Sequence, residues 1–296
     1  TVDFATKVEA HVANLFHFAV PLFFAFSGYM FVHSYKKYGW NNLLRRKFWS
    51  LYVPVVIWSI VGLIVCLPIR IYSHNDIPTI LDCLKLPMLI FRSESVHFWY
   101  VRALIFFALI APVVFFISKR TWLAVAAMLC TILIPENSFA ARQHFPVSFF
   151  YFMLGAVGGQ EGFRFHKQRH LLFVVCLIGL ILSFVFKDQI PEHYFVVLCE
   201  PLFMIGVLWF GYDVVNADHL LGTFPARFNV LFFVYCMHLI TLCWFGGILR
   251  IYLGGGAQAR LCGYVLLALT FWVDVGVANA IRRLLPKVFQ VLSGNR

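Results

Sequence analysis

About nine times between residues 13 and 281 the chain runs apolar for roughly the length that crosses a bilayer, and this repetition constrains its fold more than any other feature. Some 30 Å of hydrocarbon needs about 20 helical residues at 1.5 Å rise. The expected spans are 13–32, 48–67, 98–117, 121–135, 145–160, 171–187, 194–211, 229–249 and 261–281, the fourth and fifth being short. Transmembrane strands would alternate apolar and polar over about ten residues, and these runs are continuously apolar. Composition closes the alternatives. With 61% hydrophobic and only 12% charged residues, neither a soluble domain nor a disordered chain can be built. The expected fold is an all-α polytopic membrane protein, a bundle of about nine transmembrane helices forming a single domain over 1–296.

A net charge of +11 in a soluble protein would raise nucleic acid as a partner. In a membrane protein the position of the charges matters more than their sum, because basic residues gather in cytoplasmic connections. The first connection carries Lys36, Lys37, Arg45, Arg46 and Lys47 with no acid. Alternate connections on the same side carry Lys119 and Arg120, then Arg164, Lys167 and Arg169, then Arg227, and last Arg282, Arg283, Lys287 and Arg296. Most acids fall on the other side, among them Asp3, Glu9, Asp76, Asp82, Glu94, Glu136, Asp188 and Glu192. This bias predicts a multi-pass chain with its amino terminus outside, its carboxyl terminus cytoplasmic, membrane lipid as its surroundings and no nucleic-acid partner.

The eight cysteines form no CxxC pair or zinc-ligand spacing, so they read as small packing residues and no metal is expected. There is no signal-peptide pattern. A chain starting outside at Thr1 reads as the interior of a longer gene product, or of one cut before its first helix. No Walker loop, dinucleotide fingerprint, HExxH or GxSxG occurs. Gly155-Ala156-Val157-Gly158-Gly159 holds a GxxxG spacing, explained by close helix packing within the bundle more simply than by dimerisation.

Four segments put polar groups where a bilayer makes them costly. In His17-Phe18-Ala19-Val20-Pro21-Leu22-Phe23-Phe24-Ala25-Phe26-Ser27-Gly28-Tyr29, Pro21 removes a backbone donor and Ser27-Gly28 admits a close neighbour, whether helix or ligand. In Leu44-Arg45-Arg46-Lys47-Phe48-Trp49-Ser50-Leu51-Tyr52-Val53-Pro54, adjacent cations at a membrane edge either fix topology or hold a polyphosphate such as coenzyme A. His97-Phe98-Trp99-Tyr100-Val101-Arg102 sets Arg102 about one turn into a span, as a snorkelling interfacial cation or a functional one. In Phe232-Phe233-Val234-Tyr235-Cys236-Met237-His238, a histidine falls near mid-span, where it bonds a neighbouring helix or serves chemistry.

In this order, VPLFFAFSGY, RRKFWSLYVPVVIW, HFWYVRALI, SFFYFMLGA (148–156) and FFVYCMHLI resemble the acyltransferase 3 family of bacterial integral-membrane acyltransferases. The likeness runs from His17 to the last span. It implies a bundle of about ten helices in the bacterial inner membrane, which moves an acyl group, commonly acetyl, from cytoplasmic acyl-coenzyme A to a hydroxyl of a glycan beyond the membrane. O-antigen, capsule and exopolysaccharide are such glycans. The family's first helix carries an Arg and a His regarded as catalytic. Nothing before His17 corresponds to them, so the nine expected spans are the family's ten less the first. Family members often show two arginines three apart before the proline of the second span. The later position here looks like Ser50, which leaves phosphate contacts to Arg45, Arg46 and Lys47. No attached SGNH-type esterase domain is expected.

Three ionisable groups fall inside spans, Arg102, Glu200 and Asp274, with the first two in the outer half of the expected topology. His97, Arg102 and Glu200 are the candidates for the acceptor-facing catalytic region. Ser27, Trp99, His238 and Asp274 are further cavity candidates. A transporter of the same fold, or an inactive family member, is the competing expectation, although the paired broken helices of repeated transporter halves are not visible here.

Overall fold

The computed structural model of the protein describes residues 19–72, 98–132, 145–161, 230–253 and 257–294, with isolated positions at 134 and between 174 and 206. Among these residues the regular elements are helical and no strand occurs. The expected spans 171–187 and 194–211 lie largely outside the described residues.

The first helical stretch, α1 (Ala19–Lys47), begins inside the first apolar run and consists of two helices joined at a kink at Gly39, the second of which runs through most of the basic connection that was expected to be a loop. The reason is local. Tyr, Lys, Asn, Leu and Arg all tolerate helix, and no proline interrupts until Pro54. Gly39 alone breaks the geometry, at φ 69° and ψ 176°, and the Asn42 side-chain amide donates to the Tyr38 carbonyl across that break at 3.1 Å. Arg45, Arg46 and Lys47 close the helix, where cations meet the negative end of its dipole. A Cβ at Gly39 would touch nothing, so only the backbone conformation demands glycine there. Gly39→Ala should therefore cost about 1 kcal/mol from forcing an L-residue to positive φ. Thermal unfolding in detergent reads this as a fall of a few degrees.

A π-helical turn, Phe48–Tyr52, leads into α2 (Val53–Tyr72), with the Val53 N–H donating to the Phe48 carbonyl. Pro54 has no N–H to give the Ser50 carbonyl, which breaks the α-helical ladder at this joint.

The third expected span is not one straight helix. It divides into α3 (Trp99–Leu109) and α4 (Ala111–Ser118), bent by 81° at Ile110. Pro112 favours the break, since it cannot donate to the Ala108 carbonyl and sits in the first turn of α4, where a helix needs no backbone donor. Then follow α5 (Thr121–Ile132), α6 (Phe145–Glu161), α7 (Leu231–Leu253), α8 (Ala257–Leu284) and the short α9 (Pro286–Leu292). Among the described residues no single helix is long and apolar enough to cross a membrane by itself; α3 and α4 meet that requirement as a bent pair.

The chain divides into two compact units, Thr1–Leu43 with Phe106–Gly222, and Leu44–Ile105 with Thr223–Arg296. In the first unit α1 and α6 meet along a seam of small residues. A Cβ at Gly28 would overlap the Phe152 carbonyl, one at Gly155 the Ala25 carbonyl, and one at Gly159 would press on the Tyr29 carbonyl. Phenylalanines fill the space beside the seam: Phe107 lies 4.4 Å from Phe152 and 6.4 Å from Phe24, and Phe31 lies 5.3 Å from Phe152, ring to ring.

In the second unit α7 and α8, joined by a short connection, pair along their length, and α2 packs against α7. The Trp58 ring meets Phe233 edge-on at 4.8 Å, and the Trp244 indole donates to the Val65 carbonyl at 3.1 Å. After a turn at Leu285, α9 folds back onto α2. There the Trp58 indole donates to the Leu292 carbonyl at 3.0 Å, and buried Phe289 stacks on Phe233 at 5.7 Å. Gly294, at φ 78°, approaches the Ser50 carbonyl so closely that a Cβ would overlap it.

Candidate functional site

Polar groups in the second unit are concentrated on one face of α7. Tyr235, His238 and Thr241 recur every three residues, so each neighbours the next along a stripe that drifts around the helix. Thr241 reaches across to α8, its hydroxyl donating to Asp274 Oδ1 at 2.6 Å. Asp274 is fully buried, and its second oxygen, Oδ2, has no hydrogen-bond partner among the described residues. His238 lies within electrostatic reach of that carboxyl group. The Tyr235 carbonyl can only accept, so its hydrogen bond with His238 fixes the proton on Nδ1, and the neutral ring then carries its lone pair on Nε2.

From α3, Tyr100 and Phe98 bring their rings to Tyr235 at 6.0 and 6.5 Å, both edge-on, and the Arg102 guanidinium lies within electrostatic reach of the same tyrosine. Arg102 is half-buried. Arg102, Tyr235, His238, Thr241 and Asp274 are thus gathered within an apolar core that includes Val101, Phe233, Val234, Cys236 and Ala278. Such an arrangement can bind a hydroxyl, move its proton and stabilise developing charge.

The start of α3 and the start of α7 thus lie side by side, with Phe98 and Tyr100 against Tyr235.

Of the other candidates, His97 and Glu200 lie outside the described residues, as does His17. Trp99 opens α3, half-buried. Ser27 is half-buried on α1 in the first unit, beside the seam glycine Gly28. Arg45 and Arg46 are exposed at the end of α1, and Lys47 is half-buried. Sequence reasoning missed Tyr235, Thr241 and Tyr100 as members of the cluster. The three-residue recurrence of Tyr235, His238 and Thr241 was the available signal. Among the described residues no group of three His, Cys, Asp or Glu side chains could hold a metal ion.

The family model of the acyltransferase domain of acyltransferase 3 proteins matches residues 2–276. The chain belongs to the acyltransferase 3 family. Its α1 to α7 lie wholly within the match, as do Arg45, Arg46, Lys47, Arg102, His238 and Asp274. Membership makes this a protein of a membrane acyltransferase family. No curated protein and no solved structure matches the chain.

Proposed function

We propose that this acyltransferase 3 protein is a multi-pass enzyme that moves an acyl group, commonly acetyl, from cytoplasmic acyl-coenzyme A to a hydroxyl of an extracytoplasmic glycan. The family match over residues 2–276 carries the reading. Outward-facing apolar side chains support its membrane setting: Trp122 and Trp272 are 68% and 69% exposed, and Met30, Ile64 and Phe116 also face outward. In water such surface would be a liability; against lipid tails it is the expected one.

Acyl transfer from a thioester needs a base for the acceptor hydroxyl, donors for the oxyanion and positioning of both substrates. Coenzyme A is too large and charged to enter hydrocarbon. Its phosphates stay at Arg45, Arg46 and Lys47 while the pantetheine arm reaches inward. The dipole end of α1 places these three cations together without acids among them, and guanidinium forks suit phosphate oxygens. Arg102 serves at the acceptor side, together with His97 and Glu200, and Trp99 and Ser27 are secondary contributors.

Inverted membrane vesicles carrying the full-length protein are expected to pass label from [14C]acetyl-coenzyme A into the envelope glycan fraction. Vesicles from cells lacking the gene should not. Equal labelling in both would overturn the reading.

A further inference from the structure

We propose that the rings of Phe48 and Trp49, in the π-helical turn after the basic end of α1, form the platform on which the adenine base of acyl-coenzyme A stacks. This deepens the acyltransferase reading and rests on it.

The platform is built within one turn. Phe48, Trp49 and Tyr52 all belong to the π-helical segment Phe48–Tyr52. The Phe48 and Tyr52 rings stack, with centroids 5.1 Å apart and planes within 17°, while Trp49 meets Phe48 edge-on at 5.4 Å and 88°. The rings thus hold one another as a stack with a perpendicular wall, and little ordering remains to be done when a flat partner arrives. Phe48 and Trp49 nevertheless stay 47% and 52% exposed, whereas Leu51 in the same turn is buried. A π-helical turn moves side chains out of α-helical register, and such turns recur at functional sites.

Positive charge lies on the same face. Arg45 precedes Phe48 by three residues and Trp49 by four, the spacing at which helical side chains are neighbours. Arg45 is exposed, Arg46 and Lys47 share its helical turn, and no acid occurs in the sequence between Glu9 and Asp76. Cations and open ring faces therefore adjoin within a few residues. Acyl-coenzyme A carries both complements on a single ribose, the phosphates for the cations and a flat base for the rings. A phospholipid offers phosphate and no flat ring. Aromatic side chains also gather at membrane edges as anchors. An anchor is indifferent to whether the donor carries a base, and that difference sets the experiment.

Inverted vesicles and [14C]acetyl-coenzyme A provide the test. Trp49→Leu should raise the KM for acetyl-coenzyme A by about tenfold, within the range that one base on one ring contributes, and leave kcat at saturating donor within about threefold. Trp49→Phe, which keeps a ring face, should stay within about threefold of the wild-type KM. Adenosine 3′,5′-bisphosphate should compete with the donor in the wild type, and Trp49→Leu should weaken that inhibition by about the same tenfold factor. Inhibition by inorganic pyrophosphate, which has no base, should be weakened by Arg45→Gln and not by Trp49→Leu. If Trp49→Leu fails to reach the membrane, Phe48→Leu carries the same comparison at matched abundance. A ring variant at wild-type abundance that keeps its wild-type KM for acetyl-coenzyme A overturns the proposal while leaving the acyltransferase reading intact. So does a Trp49→Leu protein in which both inhibitors weaken alike, since the ring would then support the cations rather than receive a base. A wild-type protein that transfers no label overturns that reading and this inference with it.

Discussion

Gly155→Leu is expected to remove the folded protein from the membrane, lowering its abundance by about tenfold or more while transcript levels stay unchanged. At this position a Cβ would overlap the carbonyl oxygen, carbonyl carbon and Cα of Ala25, all backbone atoms that cannot rotate away. The helices α1 and α6 must therefore separate. Separation also pulls Gly28 from the Phe152 carbonyl and loosens Phe31 and Phe107 from the Phe152 ring. Overpacking in a rigid core typically costs about 1 to 3 kcal/mol and sometimes more. Helix association within a bilayer is especially exposed to that loss, because lipid tails are as apolar as leucine and packing itself is the main attraction. Gly276→Ala is the matching control. Its Cβ would meet nothing within 4 Å, and alanine favours helix over glycine by about 1 kcal/mol, so abundance should hold or rise. Wild-type abundance and thermal stability for Gly155→Leu would mean that the seam does not hold the unit together.

The seam was partly legible in the sequence. A GxxxG spacing states that something approaches closely, and Ser27-Gly28 states the same for another helix. Neither says which helix is the neighbour, since two small-residue stripes fit a dimer as well as a hairpin. The pairing of Gly155 with Ala25 and Gly159 with Tyr29 required three-dimensional structure. Hydropathy likewise located helices well and bounded them poorly. It follows side-chain polarity, so it stopped the first span at residue 32 although the backbone stays helical as far as the kink at Gly39 and again from there to Lys47. It also passed over Pro112, whose ring and missing N–H turn one expected span into the bent pair α3 and α4.

Within the site, His238 and Asp274 could be singled out individually because an ionisable side chain at bilayer depth demands an explanation. The hydrogen-bond partner of Asp274 could not, because it is a threonine. Threonine in an apolar helix ordinarily satisfies itself on its own backbone, as Thr131 does on the Met128 carbonyl and Thr270 on the Leu266 carbonyl. Thr241 instead donates across to another helix. Its local sequence offers only the three-residue recurrence with Tyr235 and His238. Arg102 could likewise be singled out by its charge, but its neighbour Tyr235, 133 positions away in the sequence, could not.

Removing the three cations at the end of α1 tests the donor half of the proposed reaction. Arg45→Gln, Arg46→Gln and Lys47→Gln together should raise the KM for acetyl-coenzyme A by about a hundredfold, since charge-assisted phosphate contacts contribute on the order of 1.5 to 3 kcal/mol each and solvent takes back part of it. The turnover number at saturating donor should change little, because the phosphates are remote from the thioester and bind alike before and during acyl transfer. A second basic group, Arg282, Arg283 and Lys287, occupies the turn from α8 into α9, and α9 ends against α2 with Gly294 beside Ser50, three residues past Lys47. Both groups therefore add to one positive field. Arg282→Gln with Arg283→Gln distinguishes that field from direct contact: it removes a comparable charge and should raise the KM only a few-fold, an effect that fades as salt shortens the screening length to about 8 Å near physiological ionic strength. Direct phosphate contact leaves a KM increase that persists in salt and is confined to the first group. Equal increases for both groups, both erased by salt, would assign Arg45, Arg46 and Lys47 to topology and general attraction, and coenzyme A would have to be held elsewhere.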